Sequence, residues 1–252
     1  LTQLPPNKKI YFASDFHLGV PNYDDSLARE KRLVTWLDSV KHDAAEIYLV
    51  GDLFDFWFEY KTVIPKYFTR LLGKLAELRD KGIPITFFTG NHDMWMFGYF
   101  EEELGIPVIR KPIDREINGK KFHIAHGDGL GPGDKGYKFI KKVFASKLCQ
   151  WLFRWLHPDI GIGIANYFSG TSRKKTGDSD AKFLGEENEW LVIYSREKLK
   201  AQHYDFFIYG HRHLPIEIQL TDDSKYINLG DWINHFTYAV FDGESVELKK
   251  FS

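Results

Sequence analysis

Short apolar runs recur along the chain, and each gives way to small and polar residues at its end. Ile10-Tyr11-Phe12-Ala13-Ser14 leads into Asp15-Phe16-His17, Ile47-Tyr48-Leu49-Val50 into Gly51-Asp52, and Ile85-Thr86-Phe87-Phe88-Thr89 into Gly90-Asn91-His92-Asp93. Phe122-His123-Ile124-Ala125 leads into His126-Gly127-Asp128, and Phe206-Phe207-Ile208-Tyr209 into Gly210-His211-Arg212-His213. Runs of this length, rich in β-branched and aromatic residues, predict strands. Between them, Asp25 to Val40 carries Leu27, Leu33, Val34, Leu37 and Val40 among charges. Pro65 to Lys81 carries Phe68, Leu71, Leu72, Leu75 and Leu78, with Gly82 as a stop. That spacing predicts two helices. Three later runs, Ile216 to Leu220, Tyr226 to Leu229 and Tyr238 to Phe241, follow one another with no helix between them and predict an antiparallel second sheet. The expected fold is α/β: a two-sheet β-sandwich flanked by helices, with its sites at strand ends.

Residues 135–189 break this rhythm, being too long for an ordinary connection. They predict an inserted helical cap on a core made of residues 1–134 and 190–252. Between Lys135 and Pro158 the basic residues are Lys135, Lys138, Lys141, Lys142, Lys147 and Arg154, with no acidic residue among them. Phe139, Ile140, Val143, Phe144, Leu148, Trp151, Leu152, Trp155 and Leu156 recur there at helical spacing. A basic amphipathic helix of this kind suits an anionic membrane surface or acyl chains, and equally suits packing on its own domain. Arg173-Lys174-Lys175 form a second basic cluster, able to hold phosphate charge or to lie in a solvated turn.

Composition narrows the classes. The chain has 252 residues, 34 Lys+Arg against 35 Asp+Glu, and a net charge of −1, so no overall basic field favours a nucleic acid partner. Hydrophobic residues at 43% and charged residues at 27% describe a globular protein. The lone Cys149 excludes an internal disulfide and a Cys-rich zinc module, and points to a reducing compartment. No apolar run approaches the roughly 18 residues of a membrane span, and residues 1–9 have no signal-peptide core. A cytoplasmic protein is expected, with peripheral contact to the inner membrane through the cap. Aromatic residues reach 16%, a surplus that suits a large apolar ligand.

The strand ends carry the chemistry. In extended backbone, residues i and i+2 point the same way, so Asp15-x-His17 and His211-x-His213 are each expected to aim two ligands at one point. Asp52, Asn91 and His126 add one each. Oxygen and nitrogen donors without thiolate suit Mn²⁺, Fe or Zn²⁺. The set is too large for one ion with an open position and suits two ions about 3.5–4 Å apart.

Taken together and in this order, Asp15-Phe16-His17, Gly51-Asp52, Gly90-Asn91-His92-Asp93, His126-Gly127-Asp128 and Gly210-His211-Arg212-His213 resemble the calcineurin-like metallophosphoesterases. The resemblance implies one metal on Asp15, His17, Asp52 and His213, a second on Asp52, Asn91, His126 and His211, and Asp52 as the bridge. It implies a phosphoester hydrolase in which hydroxide held between two cations, usually Mn²⁺, attacks phosphorus in line. His92 would then stabilise the transition state or protonate the leaving oxygen, and Asp93 would orient His92. A narrower resemblance, to the UDP-2,3-diacylglucosamine hydrolase family of lipid A biosynthesis, rests on Asp15-Phe16-His17-Leu18-Gly19 and Gly51-Asp52-Leu53-Phe54-Asp55-Phe56-Trp57. His126-Gly127-Asp128-Gly129-Leu130, Asp134-Lys135-Gly136-Tyr137 and the long insertion carry the rest of it. It implies a nucleotide-lipid substrate cleaved to UMP and 2,3-diacylglucosamine 1-phosphate, with Asp134 and Tyr137 on its sugar–phosphate part. His92 stands where proteobacterial members of that family have Arg, which keeps a phosphodiesterase or nucleotide pyrophosphatase acting on soluble substrates as the alternative. A non-catalytic scaffold on the same fold is the remote one, because the full ligand set is present. The oligomeric state is not legible.

Overall fold

The computed structural model describes residues 3–133, 135–165, 167 and 182–252. Two sheets stack face to face. The first has strand order β11-β10-β1-β2-β3-β4 and the second β5-β6-β7-β9-β8. Strands β1 (Lys9–Ala13), β2 (Ala44–Val50), β3 (Ile85–Phe88) and β4 (Val108–Ile109) run parallel, with β10 (Thr237–Phe241) antiparallel to β1 and β11 (Val246–Lys250) antiparallel to β10. In the second sheet β6 (Lys120–Ala125), β7 (Phe206–Tyr209) and β9 (Ser224–Leu229) are parallel, while β5 (Ile113–Ile117) and β8 (Pro215–Thr221) pair antiparallel at its edges.

The two-residue alternation of β1 explains the layering. Ile10 and Phe12 point between the sheets, where they meet Tyr48, Val50, Phe122, Ile124, Ile208 and Leu229. Tyr11 and Ala13 point the other way, into a core shared with Leu33, Trp36, Leu37, Leu71 and Leu75. That outer core lies under helices α1 (Tyr23–Val40) and α2 (Thr69–Asp80). A short α3 (Tyr99–Glu102) adds Phe100 to it. On the far face of the second sheet, Phe207, Tyr209 and Tyr226 pack with Leu191 and Val192. Between β6 and β7 come α4 (Lys135–Phe144), α5 (Lys147–Arg154) and α6 (Trp190–Ala201). The layers therefore read helices, sheet, sheet, helix, and the expected sandwich is present.

The second sheet departs from the expectation in one respect. Of the three late runs, only the first two pair there, as β8 and β9; β10 crosses to the first sheet and pairs with β1 from Ile10↔Phe241 to Phe12↔Ala239. Apolar periodicity fixes that a segment is a strand but says nothing about its neighbour, and a turn over residues 230–236 carries the chain from one sheet to the other. The basic amphipathic stretch is likewise two helices, separated at Ala145 and Ser146.

No helix among the described residues is long and apolar enough to cross a membrane.

Candidate metal centre

The carboxyl ends of β1, β2, β3, β6 and β7 bring the predicted ligands together, by a route the sequence did not suggest. Asp15, His17, His211 and His213 are not in extended backbone: their φ angles are +56°, +45°, +69° and +53°, and Asp52 joins them at +52°. Each such residue costs of order 1–3 kcal/mol unless its surroundings hold it. Here they do. Asp15 N–H donates to Gly51 O (3.1 Å), and the Phe16 and His17 N–H groups donate to Asp52 O (2.9 and 3.0 Å). Trp232 N–H donates to Asp15 O at 3.0 Å. The buried Arg29 guanidinium reaches up from α1 to the carbonyls of Phe16, His17 and Val20. Asn228 donates to Gly210 O, and the Asp231 carboxylate caps the turn after it through the Asn234 and His235 amides. The Asn228-to-Trp232 stretch thus braces the ligand turns from behind.

The side chains converge in two sets. Donor atoms of Asp15, His17, Asp52 and His213 all lie within 4.8 Å of one another. The Nε2 atoms of His17 and His213 stand 3.1 Å apart, and His213 Nε2 lies 3.3 Å from Asp15 Oδ1. In the other set, Asn91 Oδ1 is 3.0 Å from His211 Nδ1 and 3.3 Å from His126 Nε2. Asp52 Oδ2 touches both sets, 3.7 Å from His17 Nε2 and 3.3 Å from His126 Nε2, while its other oxygen accepts the His92 N–H at 2.9 Å.

Several independent features fit this cluster to cations. Asp15 Oδ1 is buried with no hydrogen-bond partner, whereas Oδ2 accepts the His211 N–H. His126 Nδ1 faces Val50 O at 2.8 Å and His17 Nδ1 faces Asp55 Oδ1 at 3.3 Å. Both rings therefore carry N–H on Nδ1 and present Nε2 as the atom that could ligate a cation. Glycine is required for space: a Cβ at Gly90 would lie 2.1 Å from Asp52 Oδ1, at Gly210 2.5 Å from Asp15 Oδ2, and at Gly51 2.4 Å from His126 Nδ1. Gly127 differs, since its Cβ would press first on Leu191 of α6, at 2.9 Å, and only touch His211 Cβ at 3.5 Å.

Without cations, protons take their place. Burial depresses His17 and His126, but the Asp15 and Asp55 carboxylates around the first and the Asp52 charge beside the second outweigh it and hold both at about 10. Burial pushes Asp52 and Asp15 upward, and the imidazoles around them hold both carboxyls well below the usual range regardless. Burial and the nearby His126 charge lower His211 to about 4.

His92 follows β3, with its ring centroid 4.8 Å from that of His17 in an edge-to-face contact. Its Nδ1 lies 3.0 Å from Asp55 O, and burial lowers its pKa. Asp93, expected to orient His92, instead accepts from the Gly90 amide (2.7 Å) and the Leu53 amide (2.8 Å), so it ties the β2 and β3 loops together. Burial and the Asp52 charge push its carboxyl up to about 7. The His92 ring meets Asp55, three positions after Asp52 in the sequence. Tyr137, on the first turn of α4, donates to Asp128 and sits with its ring 6.4 Å from that of His211; Lys141 also pairs with Asp128. Asp134, Arg173, Lys174 and Lys175 lie outside the described residues.

The protons on His17 and His126 give a testable pH dependence. Their pKa values, about 10 in the folded chain, lie above the ordinary 6.5, so this protonation stabilises the metal-free protein fully below about 6.5 and is lost as pH rises through about 10. A ligating imidazole must be neutral, so cation binding expels protons. Calorimetric Mn²⁺ titrations near neutral pH, in two buffers of different ionisation enthalpy, are expected to show net proton release and tighter binding as pH rises. Binding with no proton release would contradict the assignment.

The comparisons with known proteins agree with this geometry. The Calcineurin-like phosphoesterase family profile matches residues 8–215. A UDP-2,3-diacylglucosamine hydrolase of Porphyromonas gingivalis is 41% identical over 254 residues, covering 96% of this chain and 97% of the relative. One from Shewanella baltica is 27% identical over 242 residues, with 96% of each chain covered. Among solved structures, a phosphoesterase from E. coli covers 96% of this chain and 92% of its own at 15% identity, with a TM-score of 0.47. With strand ends, ligand order and family profile in accord over most of its length, the chain belongs to the calcineurin-like phosphoesterase family and is a hydrolase.

Proposed function

We propose that the chain hydrolyses the pyrophosphate of UDP-2,3-diacylglucosamine, releasing UMP and 2,3-diacylglucosamine 1-phosphate. The observation that carries the reading is the placement of a metal-ligand cluster at the foot of two helices whose apolar side chains face outward. Phe139, Leu148, Trp151 and Trp155 are 68%, 64%, 54% and 75% exposed, an apolar area that a soluble phosphodiester would not need. The inner side of the same helices is anchored: Trp95 donates to Phe144 O at 2.8 Å, and the Phe153 ring packs on Phe58 and Trp95 at 4.7 Å. The 41% identity to a protein named for this substrate supports the same reading. Residues 135–189 would then act as a cap that receives acyl chains. Its exposed apolar side chains, flanked by Lys142 and Lys147, would rest on an anionic membrane at the cytoplasmic face.

Asp15, His17 and His213 would hold one divalent cation and Asn91, His126 and His211 the other, with Asp52 between them; Mn²⁺ suits the donor set, and Fe or Zn²⁺ would also be accepted. Bound cations supply Lewis acidity, making hydroxide accessible near neutral pH and offsetting phosphoryl charge. The chain does the rest. His92, held through Nδ1 by Asp55 O, would stabilise the transition state or carry a proton to the leaving oxygen. Tyr137 and Lys141, both bonded to Asp128 beside the cluster, would meet the sugar–phosphate. Asp134 and the Arg173-Lys174-Lys175 cluster are proposed to join them. No nucleic acid partner is indicated.

The direct test presents UDP-2,3-diacylglucosamine in phosphatidylglycerol vesicles, in phosphatidylcholine vesicles and in detergent, with Mn²⁺, beside bis-p-nitrophenyl phosphate and UDP-N-acetylglucosamine. UMP release at a kcat/KM far above that of either soluble ester, fastest on the anionic vesicles, is expected. Turnover of the soluble esters alone would leave a phosphodiesterase and remove the lipid. In the same assay His92→Ala is expected to lower kcat about 100-fold with unchanged metal content; loss of metal instead would make His92 structural.

A further inference from the structure

Arg212 lies between His211 and His213, two of the ligands, and its partly buried side chain forms an ion pair with the buried Glu189 carboxylate. Its Nε donates to Glu189 Oε2 at 2.8 Å and its Nη2 to Glu189 Oε1 at 3.0 Å. Glu189 is 1% exposed and stands at the N-cap of α6, where the chain returns from residues 135–189 to the sandwich. Its carboxylate also accepts the Leu184 N–H, and Arg212 Nη2 reaches Lys182 O. The outgoing stem meets the same place. A Cβ on Gly131 would lie 2.5 Å from Trp190 O, one on Gly133 2.1 Å from the Trp190 ring, and one on Gly127 2.9 Å from Leu191. The first residues of α6 therefore abut both stems of the helical segment and both ligand loops of the second sheet.

We propose that the Glu189–Arg212 pair is a positioning device for the metal centre, holding His211 and His213 in their left-handed turn by tying the residue between them to the foot of the cap. The physical need is plain. Two residues at φ +69° and +53° keep that backbone only while something outside the turn fixes it. A two-point Arg–carboxylate contact fixes orientation as well as distance, which a single lysine contact does not. Because the same carboxylate holds Leu184, a shift of the returning stem is passed to the loop that carries the two imidazoles. The inference rests on the metal-ligand assignment and not on which phosphoester is cleaved.

The experiment measures Mn²⁺ affinity by calorimetry, and the melting temperature of the metal-free protein, for Glu189→Gln, Arg212→Lys and the double variant Glu189→Gln/Arg212→Gln. Breaking a buried pair on one side leaves a charge unmatched. Glu189→Gln is therefore expected to weaken Mn²⁺ binding by about tenfold or more. Arg212→Lys keeps the charge and loses the fork; in folded protein it is expected to weaken binding too, with activity recovered at saturating Mn²⁺. The double variant is expected to lose no more affinity than Glu189→Gln alone. Wild-type affinity in folded Arg212→Lys would overturn the proposal, as would a fall in melting temperature with metal affinity untouched. Because the readout is metal binding, a chain that failed to cleave the nucleotide-lipid yet showed these affinity losses would keep this inference and lose the substrate.

Discussion

One carboxylate oxygen, Asp52 Oδ2, stands between two groups of imidazoles, and the arrangement around it decides most of the structure. It can stand there only because β2 and β3 end side by side with no Cβ on Gly90, where even a methyl group would enter the carboxylate. The remaining oxygen is spent on the His92 amide, so the carboxylate cannot rotate without losing a buried hydrogen bond. The buried imidazoles of His17 and His126 and the carboxylates beside them would be costly to bury unless their charges were matched, and protons or cations are the two ways to match them.

Five of the seven candidate ligands sit in left-handed backbone, and the sandwich supplies the restraint. Arg29 from α1, Asp93 at the β3 end, Asn228 from β9 and Asp231 in the crossing turn each hold the backbone of a ligand turn or the loops beside it. These residues come from both layers of helix and sheet around the site. The centre is thus a property of the whole fold: the strands aim the turns, and distant polar groups keep them from relaxing.

The candidate ligands stand out in the sequence because each is a polar residue placed where an apolar run stops, a position that core packing alone does not explain. The manner of convergence was not legible. Left-handed φ at Asp15 or His213 depends on hydrogen bonds from segments far along the chain, and no local pattern announces it. Arg29 reads as an ordinary charge on a helix until α1 is docked, and Glu189 as one acid in an acidic stretch. Asp93 was read as the partner of its neighbour His92, whereas the folded loops give it two backbone amides. The apolar spacing of residues 139–156 predicted helix, yet which side chains would be covered depended on the aromatic platform of Phe58 and Trp95. β10 was expected in the second sheet and lies in the first for the same reason: pairing is decided by the partner, and the partner lies more than two hundred residues earlier.

The central claim is that Asp52 holds two cations in one site. Electron paramagnetic resonance of the Mn²⁺-loaded protein tests it most directly, with Asp52→Asn as the comparison. The account predicts a spin-coupled Mn²⁺ pair in the wild-type chain and loss of that coupling in Asp52→Asn. An uncoupled, mononuclear spectrum in the wild-type protein at saturating Mn²⁺ would contradict it.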